Sequence, residues 1–160
     1  MKPRIYLETS VISYLTARPS NSLIASAQQA MTHAWWATRS QYELYTSQLT
    51  IDEAARGDAD AAKERLTILR TMPVLTMNED AQRLGEQLIE RLAMPAKAID
   101  DAYHVAISAV HGMDYLLTWN CKHIANLQLR ERIHQTCMDA GYQPALIGTP
   151  QEMLDLDGTD

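Results

Sequence analysis

The stretch "RIYLETSVISYL", Arg4–Leu15, decides how the chain is read. Ile5, Tyr6 and Leu7 form a β-prone strand of about Arg4–Glu8, and a carboxylate, Glu8, stands where that strand ends. Thr9 and Ser10 turn the chain, and Val11, Ile12, Tyr14 and Leu15 continue it in an apolar run. A charge beside a core is costly unless it is paired or binds a metal. Partners for Glu8 must therefore come from elsewhere in the chain.

Outward from that stretch, apolar spacing alternates strands with helices. A helix is expected over about Asn21–Thr38 with Leu23, Ala27, Ala30 and Ala34 on its inner face, and Tyr42–Ser47 is short and β-prone. "QLTIDEAARGD" reads as a short helix stopped by Gly57, and Asp58 caps the next one, with Ala62, Leu66 and Leu69 inward. Pro73–Met77 is a strand; Asn78 then caps a helix striped by Ala81, Leu84, Leu88 and Leu92 and broken by Pro95. A further helix runs from near Ala98 to before Gly112, followed by the strand "YLLTW", Tyr115–Trp119. The last pair is a helix over about His123–Ala140, carrying Leu129, Ile133 and Cys137 and stopped by Gly141, and the strand Ala145–Gly148. Five strands alternating with helices imply an α/β fold, a parallel sheet covered on both faces. In such sheets ligands bind beyond the carboxyl ends of the strands, and that is where Glu8 falls.

Composition agrees with one packed domain. The chain has 160 residues, 46% hydrophobic and 21% charged, enough apolar matter for a core and too little charge density for disorder. The domain is expected over residues 1–150, with 151–160 as a frayed acidic tail ending "DLDGTD". No apolar run approaches the ~18 residues of a membrane helix, and the N-terminus reads as strand rather than export signal. Cys121 and Cys137 are too few for a disulfide framework. A cytoplasmic protein with no membrane association is expected. The net charge of −6 argues against broad sequence-independent nucleic-acid binding, though it leaves room for a basic rim around an acidic pocket.

Other oxygen donors fall at places comparable to Glu8. Glu53 follows the second strand, Asp100 and Asp101 open the helix "AIDDAYHVAISAV", and Asn120 ends "YLLTWN". Each also has an ordinary role. Asp100 reads first as a helix-start acid serving the dipole, Glu53 as decoration of a short helix, and Asn120 as a turn residue. Asp101 differs, because it borders the stripe of Ile99, Ala102, Ala106 and Ala109 and so points along the rim of the sheet. Two carboxylates ~4 Å apart repel by ~4 kcal/mol at an effective dielectric of about 20, so such a gathering needs a cation. Oxygen donors without regular Cys/His pairs suit Mg²⁺ or Mn²⁺. His104, His111 and His123 are too irregularly spaced for zinc, and His104 is expected to pack or hydrogen-bond beside the site. Thr9 and Ser10 are expected to bond the loop or a water beside Glu8. Trp35 and Trp36 read as packing residues; Lys97, Lys122 and Arg18 are solvated charges or rim contacts to phosphate.

The segments "YLETSVISYL", "SQLTIDEAARGD", "KAIDDAYHVAISAVHGMDYLLTWNCKHIAN" and "GTPQEML" resemble, in order, those of PIN-domain proteins, the ribonuclease fold of VapC-type toxins from bacterial toxin–antitoxin pairs. The resemblance implies a three-layer α/β/α sandwich with a five-stranded parallel sheet in the order 3-2-1-4-5. It implies an Mg²⁺- or Mn²⁺-dependent endoribonuclease acting on RNA, silenced by an antitoxin protein, and a homodimer. The family usually has Asp at the end of strand one, as "LDTS", where this chain has Glu8. The second acid maps to Glu53 and the third to Asp101, directly before Ala102 in "DAYH". The fourth position, often Asp, is Asn120. By this resemblance Glu8 and Asp101 bind the metal directly, Asn120 holds it through water, and Glu53 orients or deprotonates the attacking water. Thr9, Ser10, Asp100 and His104 surround them. Glu8 and Asn120 also suit a PIN module that binds RNA or a protein partner without cutting. A small-molecule phosphohydrolase or nucleotide-binding domain is disfavoured by the lack of a Gly-rich phosphate loop.

Overall fold

The computed structural model describes residues 1–156, with side chains through residue 154. A five-stranded parallel sheet runs in the order β3-β2-β1-β4-β5, the arrangement expected. The strands are β1 Arg4–Leu7, β2 Glu43–Ser47, β3 Val74–Leu75, β4 Tyr115–Leu117 and β5 Leu146–Gly148. β1 is central because it is apolar on both faces: Ile5, Tyr6 and Leu7 are fully buried. Strand alternation sends Tyr6 and Leu116 into one core and Ile5, Leu7 and Leu117 into the other.

The first core lies under α5 Glu79–Arg91, α6 Ile99–Val110 and α7 Leu127–Asp139. The second lies under α1 Thr9–Thr16, α2 Leu23–Trp36, α4 Ala59–Leu69 and α8 Pro150–Leu156, with the short α3 Gln48–Ala54 leading from β2 towards α4. In the first layer α5 and α6 meet closely. A Cβ on Gly85 would collide with the ring of Tyr103, so the small residue sets the helix spacing.

Several elements differ from expectation, each for a physical reason. The run after Thr9 is a helix, α1, because Glu8 caps it and Val11, Ile12 and Leu15 share one buried face. α2 turns the other way: Leu23 is 86% exposed, and Ala27, Ala30 and Ala34 are exposed as well. Its inner face is Gln29, Thr32 and Trp35, since the fully buried Trp35 fills the core and the two polar residues find partners. Gln29 Nε2 donates to the Arg18 carbonyl (2.9 Å), and the Trp119 indole N–H donates to Thr32 Oγ1 (2.7 Å).

The last long helix begins at Leu127 rather than near His123. Asn126 caps it by accepting from Gln128 N–H (2.9 Å), and residues 120–125 form a turn tied to the Asn120 carbonyl. β3 is shorter than Pro73–Met77 because it is the sheet's outer strand, with Val74 48% exposed. Residues 150–156 form α8, which lies against α2 with Met153 buried. The remainder of the expected acidic tail, residues 157–160, lies outside the described residues. Cys121 is exposed and Cys137 buried, both as free thiols. Among the described residues no helix is long and apolar enough to cross a membrane.

Candidate active site

Glu8 leaves β1 at its carboxyl end, where its N–H still pairs with the Leu117 carbonyl (3.0 Å). Glutamate is not an ordinary N-cap residue, but here its longer stem folds back over the first turn of α1. Ser10 N–H donates to Oε2 (3.1 Å). Oε1 accepts from two hydroxyls, Ser10 (2.5 Å) and Thr118 (2.6 Å). Only 6% of the residue is exposed. The carboxylate sits beside an apolar strand because three donors support it, the charge-assisted bonds that make such burial tolerable.

Glu53 arrives from α3, whose start is fixed by Ser47 accepting from Thr50 N–H (3.1 Å). Its Oε1 accepts from the Thr9 hydroxyl (2.7 Å) and lies 2.5 Å from His104 Nε2. His104 projects from the inner face of α6 and is wholly buried, with Nδ1 2.6 Å from the Tyr6 hydroxyl. Tyr6 in turn contacts Ser47 Oγ (2.7 Å) and Thr50 Oγ1 (3.2 Å). Burial alone would raise the Glu53 carboxyl. The hydrogen bond and charge of His104, helped by Thr9, outweigh it and hold Glu53 below the usual glutamate range. Burial likewise opposes a charged His104, but the Tyr6 hydroxyl, bonded Glu53 and nearby Glu8 overcome it and raise the imidazole above its ordinary value.

Asp101, in the first turn of α6, is raised above the usual aspartate range by burial and by the charge of Glu8, against the hydrogen bond from Asn120 and the influence of His104 and His123. Asn120 is fixed from both ends. Its Oδ1 accepts from His123 N–H (3.0 Å), and since a backbone N–H only donates, the amide nitrogen is the end that meets Asp101. One lone pair of the oxygen expected to face a metal water is therefore already used. Asp100 leaves the helix about 100° around from Asp101.

Donor atoms of Glu8, Glu53 and His104 all lie within 4.8 Å of one another, a grouping that could hold a metal ion. Glu8, Glu53, Asp101 and Asn120 come from β1, α3, α6 and the turn after β4, and they meet at one end of the sheet. Thr9 and Ser10 bind the acids themselves, not merely the loop. His111 stands apart, bonded to the Thr76 carbonyl (2.8 Å), and among the described residues His104 is the only histidine in a metal-capable group. Lys97, Lys122 and Arg18 are exposed, and Trp35 is core. Tyr6 and Thr118 were not singled out from sequence. The one available signal was that a buried tyrosine hydroxyl needs a partner, and strand alternation sends Tyr6 to the side of α6.

A parallel 3-2-1-4-5 sheet with acids converging at its carboxyl edge defines a three-layer α/β protein with an acidic cluster that could hold a metal ion. The sequence model of the PIN domain matches residues 5–121, and the chain belongs to the PIN-domain family. Solved structures share the fold. VapC20 of Mycobacterium tuberculosis, a sarcin-ricin loop cleaving toxin, superposes with a TM-score of 0.54 at 18% identity, over 86% of this chain and 95% of that one. VapBC2 from Rickettsia felis, bound to a DNA fragment from their promoter, gives 0.57 at 12% identity, over 91% and 98%. VapBC-5 of M. tuberculosis, from the VapBC family of toxin–antitoxin systems, gives 0.50 at 18%, over 91% and 96%. Comparison with curated protein sequences finds no match.

Proposed function

We propose that the chain is an Mg²⁺- or Mn²⁺-dependent endoribonuclease and the toxin of a toxin–antitoxin pair. The observation that carries this is the group of Glu8, Glu53 and the buried His104, whose donor atoms lie within 4.8 Å of one another; Asp101 stands outside that group but near enough for the charges of Glu8 and His104 to act on it. The donors of Glu8, Glu53 and Asp101 fit a divalent ion: all are carboxylate oxygens, and burial and the charge of Glu8 raise Asp101, a repulsion that a cation would relieve. Glu8 and Asp101 would hold the ion. Asn120 braces Asp101 through its amide nitrogen and offers its second lone pair to a water there. The ion, when bound, would polarise a phosphodiester and acidify a water. Glu53 would orient or deprotonate that water for in-line attack.

RNA as substrate is supported by family membership and by a structural neighbour that cleaves the sarcin-ricin loop. An antitoxin partner is supported by neighbours from VapBC pairs. We propose further that the nuclease domain spans residues 1–150, with α8 packed on it against α2, and that the chain works in the cytoplasm as a homodimer. The test is incubation of purified protein with total RNA in Mn²⁺, in Mg²⁺ and in EDTA, with and without the product of the adjacent upstream gene. Cutting that needs the metal and is suppressed by the partner is expected. RNA binding without cutting in either metal would make the chain the non-cutting module that Glu8 and Asn120 also suit.

A further inference from the structure

Beneath the acidic cluster, at the edge of the first core to which Tyr6 belongs, lies a chain of buried polar groups. Ser47 Oγ, Tyr6 OH and His104 form it, and it ends on Glu53 Oε1. Tyr6, Ser47, Thr50 and His104 are all 0% exposed. They come from β1, the β2–α3 junction and α6, which are far apart in sequence, so only the folded sheet assembles them. Burying such groups is costly unless every one is satisfied, and each here has a partner. Glu53 Oε1 takes both Thr9 and His104 Nε2, and a carboxylate accepts only, so Nε2 carries a proton. The Tyr6 hydroxyl at Nδ1 stops the imidazole from turning. Glu53 is thus held at Oε1, while its Oε2 makes no hydrogen bond among the described residues.

We propose that Tyr6 and His104 are positioning residues that lock Glu53, so that a single oxygen, Oε2, faces the reacting water. This rests on the role given to Glu53 above. Both His104 nitrogens are already engaged, Nε2 by Glu53 and Nδ1 by Tyr6, so the two residues act through Glu53 rather than on RNA or metal. Tyr6→Phe keeps the ring and removes the hydroxyl that fixes His104. His104→Leu removes the donor to Glu53, whereas His104→Gln can return an N–H close to the place of Nε2.

The test measures Mn²⁺-dependent cleavage of a defined RNA, thermal melts, and the imidazole N–H resonances of the metal-free protein by proton NMR. Tyr6→Phe and His104→Leu should lose about 10–100-fold in kcat with KM little changed, and His104→Gln should recover much of that loss at a similar melting temperature. The wild type should show a slowly exchanging, far-downfield imidazole proton, the mark of a short charge-assisted bond. That signal should vanish in His104→Gln and shift in Tyr6→Phe. If no RNA is cut by the wild type but the resonance behaves this way, the lock stands and the ribonuclease assignment fails. If the resonance is absent, or Tyr6→Phe cuts like wild type, the lock is wrong. If His104→Gln and His104→Leu lose activity only in step with stability, the residues are structural and the proposal is overturned.

Discussion

Asp101 ionises against the fold when no metal is present, because burial and the charge of Glu8 both raise its carboxyl. An acid whose folded pKa exceeds its unfolded value binds more protons folded than unfolded. Stability therefore falls as pH rises from the ordinary aspartate value of about 4 upward through the folded one. Metal-free Asp101→Asn should melt higher than wild type at pH 7, and the difference should close near pH 3. A variant that melts lower at pH 7 would show that the Asn120 bond, not the repulsion, dominates. Asn120→Asp should act in the opposite sense. It replaces the amide facing Asp101 by a carboxylate oxygen, lowering the metal-free melting temperature while tightening Mn²⁺ binding. Calorimetric titration checks this, and unchanged affinity would mean that position 120 never senses the ion. At this scale the acids were legible, since polar residues at strand ends stand out against apolar runs. Thr118 was not, because a threonine inside "YLLTW" is an ordinary strand residue. Only the pairing of β4 with β1 brings its hydroxyl to Glu8.

The helices tell a similar story at the scale of elements. The β1, β2 and β4 runs were legible as buried parallel strands, and the caps Asp58 and Asn78 were legible from residue type; each accepts a backbone N–H three residues on. The inner face of α2 was not legible. Spacing of small apolar residues chose Leu23, Ala27, Ala30 and Ala34, but Trp35 offers far more burial, and Gln29 and Thr32 enter with it because each has a partner. The start of α7 was missed because Asn126 captures the cap while the preceding turn folds onto Asn120. Close packing of α5 on α6 gives a sharper test. Alanine for glycine in a helix interior gains about 1 kcal/mol of propensity, whereas overpacking costs about 1–3 kcal/mol. The added methyl of Gly85→Ala would strike the Tyr103 ring near its base as well as along its edge, so packing should win. Urea denaturation should show a net loss of up to about 2 kcal/mol; a gain would mean that the ring swings aside freely.

For the whole molecule, the net charge is −6, and its most consequential part is the group held at the carboxyl edge of the sheet. Folding gathers these acids and unfolding disperses them, so a divalent ion binds the native state in preference. At 100 times its dissociation constant it should add ~2.7 kcal/mol, a melting shift of roughly 5–10 °C for a chain of this size. EDTA should reverse it, and melts unchanged by both Mg²⁺ and Mn²⁺ would argue that the site holds no ion. The order 3-2-1-4-5 then explains why one site serves the whole fold: β1 and β4 are neighbours at its centre, and α3 and α6 deliver their acids over the same edge. The most direct test of that account is the Mn²⁺-dependent cleavage rate of a defined RNA by wild type, Asp101→Asn and Asp100→Asn, purified side by side. Wild type and Asp100→Asn should cut at comparable rates that vanish in EDTA, while Asp101→Asn, folded and no less stable without metal, should not cut. Equal cutting by all three, or a dead Asp100→Asn beside an active Asp101→Asn, would contradict it.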